Sequence, residues 1–325
     1  MSALLEVENL VIRYPAMGRL RATFSGSSRE FDAVSGVSFS INAGETLGIV
    51  GESGSGKSTV ARAIMGLKRA ASGSIRFDGQ EISNASAQEY TRLRREIAMM
   101  WQDPVGSLSP RLTVGSLVTE PLEIHGKRAD MRAEANRLLE MVGLPNDFTG
   151  RFPHQLSGGQ ARRVGVARAL ALDPRLIIAD EPTAGLDMSV QAEVLNLLAE
   201  MQDRLGVAIL VITHNLNVVR HITDRMAIMY LGRFVEIGST ERVFHAPSHP
   251  YTEALLSANP EPDPDTVHAR ITLAGEIPSP RKRPEGCEFH TRCPRATSLC
   301  KTQMPNVTVH APCHSYTCHF PVHDT

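Results

Sequence analysis

Apolar and polar positions alternate through the first ninety residues, and the pattern predicts strands and turns. LLEVENLVIRY (4–14) reads as a half-buried strand. RLRATFSGSSREF (19–31) is polar and rich in glycine and serine, and reads as a loop insertion. VSGVSFSI, NAG and ETLGIVG predict a hairpin that leads into a buried strand. That strand runs into GESGSGKST, and VARAIMGL continues at helical spacing; SGSIRFDG adds a strand and turn. From about 88 to 172 the period becomes helical, in EYTRLRREI, DMRAEANRLLEMVGL and QARRVGVARALAL, with WQDPVGSLSPRLTV as an irregular connector. Strands and helices alternate again from 175: RLIIADE, SVQAEVLNLLAEMQDRLG, VAILVITH and VVRHITD, then a hairpin in RMAIMYLGRFVEIG. HPYTEALLSANP predicts a short helix closed by proline, and the proline-rich stretch 260–286 reads as a linker or extended arm.

Strand, glycine loop and helix in succession are the setting a phosphate-binding loop needs. The glycines Gly51, Gly54 and Gly56 let the backbone wrap so that successive N–H groups, with those of Ser53, Ser55 and Thr59, face one centre. Lys57 is placed to neutralise β and γ phosphates, and Ser58 to give its hydroxyl to Mg²⁺. An ordinary glycine turn before a helix is the plainer alternative. RLIIADE delivers Asp180 to the carboxyl end of a strand, where open α/β sheets bind ligands. Glu181 follows, positioned to hold an attacking water and take its proton, unless the two acids are merely a surface pair.

Composition narrows the class. The 325 residues carry 34 Lys plus Arg against 35 Asp plus Glu, so no basic excess marks a dedicated nucleic-acid binder. Aromatics at 5% argue against base-stacking platforms. The N-terminal residues lack the basic start and apolar run of a signal peptide, and no apolar stretch is long enough to cross a bilayer. Membrane association is therefore expected to go through a partner.

A second glycine-rich stretch, LSGGQ (156–160), stands beside one pair of acids only. The order GESGSGKS, WQDP, LSGGQ, LIIADEP, GLD and ITH resembles the ATP-binding cassette family from Leu4 to Pro260. WQDPVGSLSPRLTV, DMSVQAEVLNLL, HPYTEALLSANP and GCEFHTRCPRA are similar to the oligopeptide, dipeptide and nickel branch of bacterial importers. The resemblance implies an α/β fold: a P-loop (RecA-like) nucleotide-binding core with an antiparallel β subdomain, a helical insert subdomain and a C-terminal cysteine-rich extension. Residues 1–240 would form the ATPase domain, with the insert at about 88–172, and 241–325 the importer-type extension.

It also implies that two cassettes pair head to tail, so LSGGQ of one closes on the γ-phosphate held by the other. Ser157, Gly158, Gly159 and Gln160 then serve a neighbour's nucleotide, where the plainer reading is a helix cap. Tyr14 falls where the family stacks adenine, Gln102 where it senses metal and water, His214 where it reaches the γ-phosphate, and Asp187 at the dimer contact. Two positions depart from the pattern: Asn215 replaces an aspartate after the histidine, and Ala184-Gly185 replaces serine-alanine. Partners implied are two transmembrane permeases, a second cassette (itself or a paralogue) and, indirectly, an extracytoplasmic solute-binding protein. The implied place is the cytoplasmic face of the inner membrane. A soluble cassette acting on nucleic acid or ribosomes, and a regulatory subunit with a damaged site, are the competing classes.

Five cysteines, Cys287, Cys293, Cys300, Cys313 and Cys318, all follow residue 286. None has the two-residue gap common in zinc ribbons, and uneven longer gaps suit an iron–sulfur cluster. The branch is associated with a [4Fe-4S] cluster here, and its spacing from a proline selects Cys318, after Pro305, over Cys313. His290, His310, His314 and His319 keep zinc open, and metal-free reduced thiols are the third reading.

Overall fold

The computed structural model describes residues 3–15, 30–103, 106–259, 270–311 and 314–323. Residues 19–29 of the expected insertion, 260–269 of the linker, and Cys313 lie outside the described residues. In chain order the first elements are β1 (Leu5–Pro15), β2 (Glu30–Ile41), β3 (Thr46–Val50) and α1 (Lys57–Ile64). They continue with β4 (Ser72–Phe77), β5 (Gln80–Glu81), α2 (Ala87–Leu93), β6 (Ile97–Met100), α3 (Val114–Ile124) and α4 (Met131–Met141). Then come α5 (Gly158–Leu170), β7 (Leu176–Asp180), α6 (Met188–Leu205), β8 (Ala208–Thr213) and α7 (Leu216–Ile222). The remainder is β9 (Arg225–Tyr230), β10 (Arg233–Ser239), α8 (Thr240–His245), α9 (Pro250–Ser257), α10 (Ser298–Thr302), β11 (Thr308–Ala311) and β12 (His314–Tyr316).

The chain divides into two compact units: Met1–Ser40 with Leu47–Asn84 and Thr213–Thr325, and Ile41–Thr46 with Ala85–Ile212. In the first, β2-β1-β4-β5 form a sheet in which β4 pairs antiparallel with β1 and with β5, with Leu5 opposite Phe77 and Val7 opposite Ile75. A second sheet runs β11-β12-β10-β9-β3, where β3 and β9 are parallel and β9, β10, β12 and β11 antiparallel. β3 is buried along its whole length, as a two-sided central strand must be. β2 buries alternate positions towards its end and sits in the other sheet, so the hairpin expected of these two segments does not form.

In the second unit β8, β7 and β6 run parallel, with Ile178 opposite both Met99 and Leu210. β6 corrects the helical reading of EYTRLRREI: the helix α2 stops at Leu93, and Ile97 opens a strand. Four apolar residues are too few for periodicity to separate strand from helix. Helix α3 is hidden in turn by Gly115, Pro121 and β-branched residues, yet Thr113 caps it by accepting from Ser116 N–H, and four of its hydrophobic side chains are buried.

The C-terminal region is part of the first unit. Its Tyr251 and Phe289 pack with Tyr230, ring centroids 4.8–5.3 Å apart, in a core shared with Val50, Ile228 and Val243. Glu236 of β10, 1% exposed, accepts from Ser248 and His249 N–H and faces His314 Nε2 at 3.0 Å. Among the described residues no helix is long and apolar enough to cross a membrane.

Candidate nucleotide site and cysteine cavity

The first unit carries the predicted phosphate loop between β3 and α1. Gly56 has φ of 107°, and a Cβ there would meet Ala33 O at 2.5 Å, so both conformation and space demand glycine. Gly232 N–H, in the β9–β10 turn, donates to Ser55 O at 2.7 Å and pins the loop from one side. Lys57 is buried, and its Nζ donates to Gly51 O at 2.7 Å and Glu52 O at 3.0 Å. Ser55 Oγ is buried with no hydrogen-bond partner among the described residues, and a hydroxyl so placed can donate to an anion's oxygen. Ser53, Gly54, Ser58 and Thr59 lie along the same turn and first helical residues.

Two further predicted residues sit in this unit. Tyr14, near the end of β1, stacks on Phe31 at 6.2 Å and has Lys68 Nζ over its ring, 4.3 Å from the centroid. His214 follows β8 and is exposed, and Asn215 caps α7 by accepting from Asn217 N–H. The departure at Asn215 thus has a local use: an amide oxygen caps a helix as a carboxylate would.

The second unit carries the other predicted residues. Asp180, 5% exposed, ends β7. Glu181 follows with φ of 51°, left-handed for a non-glycine residue, held by its N–H to Ile212 O at 2.7 Å. Strain of this kind persists where the surrounding structure fixes it. Ser157 caps α5: its Oγ accepts from Gln160 N–H, and Gln160 Oε1 accepts from Ser157 N–H. A Cβ on Gly159 would come within 2.5 Å of Val190, so glycine lets α5 approach α6. Asp187 caps α6, and the Val190 N–H and Ser189 hydroxyl that donate to it hold its carboxyl below the usual range. Gly158 begins α5 and Gln102 sits, exposed, after β6.

One residue here carries no motif. Arg162 of α5 is 1% exposed, and its guanidinium donates to Trp101 O, Gln102 O and Ala184 O at 3.1–3.3 Å. It ties the LSGGQ helix to the backbone of Gln102 and to the turn after Glu181. Its partners are 22 to 61 residues away, so no local signal could reveal it.

Also in the first unit, Cys287, Cys293, Cys300 and Cys318 line one cavity, with His290, His319 and Phe289. All four are free thiols. Burial pushes Cys287 up to about 11 and Cys318 up to about 12. Among the described residues no group of three or more His, Cys, Asp or Glu is arranged to hold a metal ion. Of the histidines, His314 accepts from Arg242 Nε at Nδ1 and faces Glu236 at Nε2, so both its ring nitrogens are engaged, while His319, which lines the cavity, has its Nε2 on Gln303 O.

Comparison with known proteins identifies the class. The dimeric MJ0796 cassette, a bacterial ABC transporter cassette, superposes with TM-score 0.64 and 31% identity, covering 73% of this chain and 98% of that one. The same protein in a post-hydrolysis state bound to ADP and Pi gives the same values. The fold is therefore the mixed α/β fold of the ABC ATPase cassettes. The ABC transporter family matches residues 34–184, and the oligopeptide/dipeptide transporter C-terminal region matches 235–300. The oligopeptide transport ATP-binding protein AppF of Bacillus subtilis is 45% identical over 97% of each chain. OppF of Salmonella typhimurium is 45% identical over 93% of this chain and 92% of its own. A putative peptide import ATP-binding protein of Brucella ovis is 48% identical over 87% and 90%. The chain belongs to the ABC transporter ATP-binding proteins, in the oligopeptide and dipeptide branch.

Proposed function

We propose that this chain is the ATP-hydrolysing subunit of an importer for peptides or a related small solute. It works at the cytoplasmic face of the inner membrane, with two permease subunits and a second cassette, and is supplied by an extracytoplasmic binding protein. The single observation that carries the reading is the match of one chain to both the ABC ATPase family and the oligopeptide transporter C-terminal region. The relatives above are named as oligopeptide transport and putative peptide import ATP-binding proteins, so a soluble cassette acting on nucleic acid or ribosomes is set aside.

The residue roles follow from chemistry. Backbone N–H groups of Gly51 and Ser53 to Thr59 cradle the phosphates, with Lys57 turning from the loop carbonyls to the β and γ oxygens. Tyr14 offers its ring to adenine. Ser58, Asp180 and Gln102 are oxygen donors, the set Mg²⁺ prefers, and would hold it; the ion, when bound, screens phosphate charge. Glu181 orients water and takes its proton, and His214 steadies the γ-phosphate. Ser157 to Gln160 and Asp187 meet the nucleotide of the paired cassette. Ser157's capping bond supports this use, because it fixes the positive end of α5. ATP thereby joins two chains, and hydrolysis releases them.

For the domain plan, residues 1–240 as ATPase and 241–325 as importer extension remain our division by function. For the thiols, we favour a [4Fe-4S] cluster held by Cys287, Cys293, Cys300 and Cys318. Four free cysteines on one cavity support it, since cysteine sulfurs are the usual ligands of such a cluster. Iron and sulfide analysis with an absorbance spectrum of anaerobically purified protein tests it: a colourless, iron-free protein defeats it. Reconstitution with its permeases in vesicles tests the main proposal. ATP-dependent peptide uptake is expected, and steady ATP turnover with no peptide or related solute moved would overturn the importer role.

A further inference from the structure

Glu52 is the second residue of the phosphate loop, and two side chains from the C-terminal region hold it. Arg292 donates through both terminal nitrogens, Nη1 to Oε2 at 2.7 Å and Nη2 to Oε1 at 3.0 Å. Tyr251 OH accepts from the Glu52 N–H at 3.2 Å. The Arg292 side chain is 8% exposed and that of Glu52 25%, so the pair is largely sheltered from water. The carbonyl of the same Glu52 accepts from Lys57 Nζ. One residue therefore touches the phosphate lysine through its backbone and the C-terminal region through its N–H and carboxylate.

Arg292 is itself well braced. Its N–H donates to Phe289 O at 3.0 Å, its guanidinium lies 5.9 Å from the Tyr230 ring centroid, and Phe289 packs on Tyr230 and Tyr251. A carboxylate set one residue into a loop built for a triphosphate opposes the ligand's charge and is free to rotate. A planar guanidinium bonded at both oxygens cancels the charge and fixes the direction at once.

We propose that Arg292 is a positioning residue for nucleotide binding: by neutralising and orienting Glu52, it makes the cysteine-bearing region a working support of the phosphate loop. The proposal rests on the reading of the chain as an ATPase.

Calorimetric titration of the full chain with Mg-ADP tests it, alongside ATP turnover and unfolding midpoints for every variant. Arg292→Ala leaves Glu52 unpaired and is expected to weaken Mg-ADP binding about tenfold. KM for ATP rises by a similar factor while kcat stays within about twofold. Adding Glu52→Gln to Arg292→Ala removes the uncompensated charge and recovers most of the lost affinity, whatever happens to the unfolding midpoint. Arg292→Lys keeps the charge but not the fork, and falls between wild type and Arg292→Ala. Should Arg292→Ala not fold, Arg292→Lys alone and with Glu52→Gln makes the same comparison. Arg292 variants that bind within about twofold of wild type, or a double variant no tighter than its Arg292 parent, overturn the proposal. A wild-type chain that binds Mg-ADP but never turns over ATP, even with its permeases, counts against the ATPase reading instead.

Discussion

Glu181 and Arg162 show two kinds of residue-scale information. Glu181 stands next to Asp180 in the chain, and the pair is legible in RLIIADEP as a local string. Folding adds a left-handed backbone that no pattern encodes. Glu181→Gln is expected to lower ATP turnover by roughly 10²–10⁴ while leaving Mg-ATP binding intact. Phosphate release and equilibrium binding measure the two, and unchanged turnover rules out Glu181 as base. Arg162 carries no motif of its own, because its meaning lies in three carbonyls brought to it by folding. Arg162→Met keeps the volume but strips those donors, and should cost about 2–4 kcal/mol in urea unfolding of the full chain. A loss below about 0.5 kcal/mol would show that the carbonyls find other partners.

At the scale of elements, legibility tracks length and capping. α6 and β7 are readable because one is long and periodic and the other is an apolar run with turns on both sides. β6 and α3 are not: one is four residues long, and the other hides its periodicity behind a proline and a glycine. The site's short motifs are legible because glycine loops and acid pairs are local, whereas the Arg292–Glu52 contact joins positions 240 residues apart. The start of α9 supplies a pH-dependent feature. His249 is 1% exposed, its Nδ1 accepts from Tyr251 N–H, and burial lowers its pKa from 6.5 to about 4. The unfolded chain therefore binds the extra proton first as pH falls, so stability is full above 6.5 and declines towards 4. The decline should reach roughly 3 kcal/mol. His249→Asn, which keeps a capping acceptor, should flatten it in unfolding curves recorded across that range. An identical slope in both proteins would assign the effect to other groups.

At the scale of the whole molecule, the chain is expected to associate with a second cassette. Each chain holds one GESGSGKS loop and one LSGGQ helix, and the similar MJ0796 cassette is dimeric. Glu181→Gln with Mg-ATP, together with any second cassette and the permeases, should form a complex in which cassettes pair. Light scattering and crosslinking detect it, and addition of Ser157→Arg should abolish it. Pairing that survives Ser157→Arg would place the contact elsewhere.

β10 obtains its outer neighbour from β12, and Glu236 obtains its imidazole from His314, 78 positions downstream. A ribosome makes the needy strand well before the piece that satisfies it. A nascent chain thus waits with an open sheet edge and a carboxylate that still lacks its imidazole, so premature termination within that interval is expected to yield a sticky product rather than a smaller working enzyme.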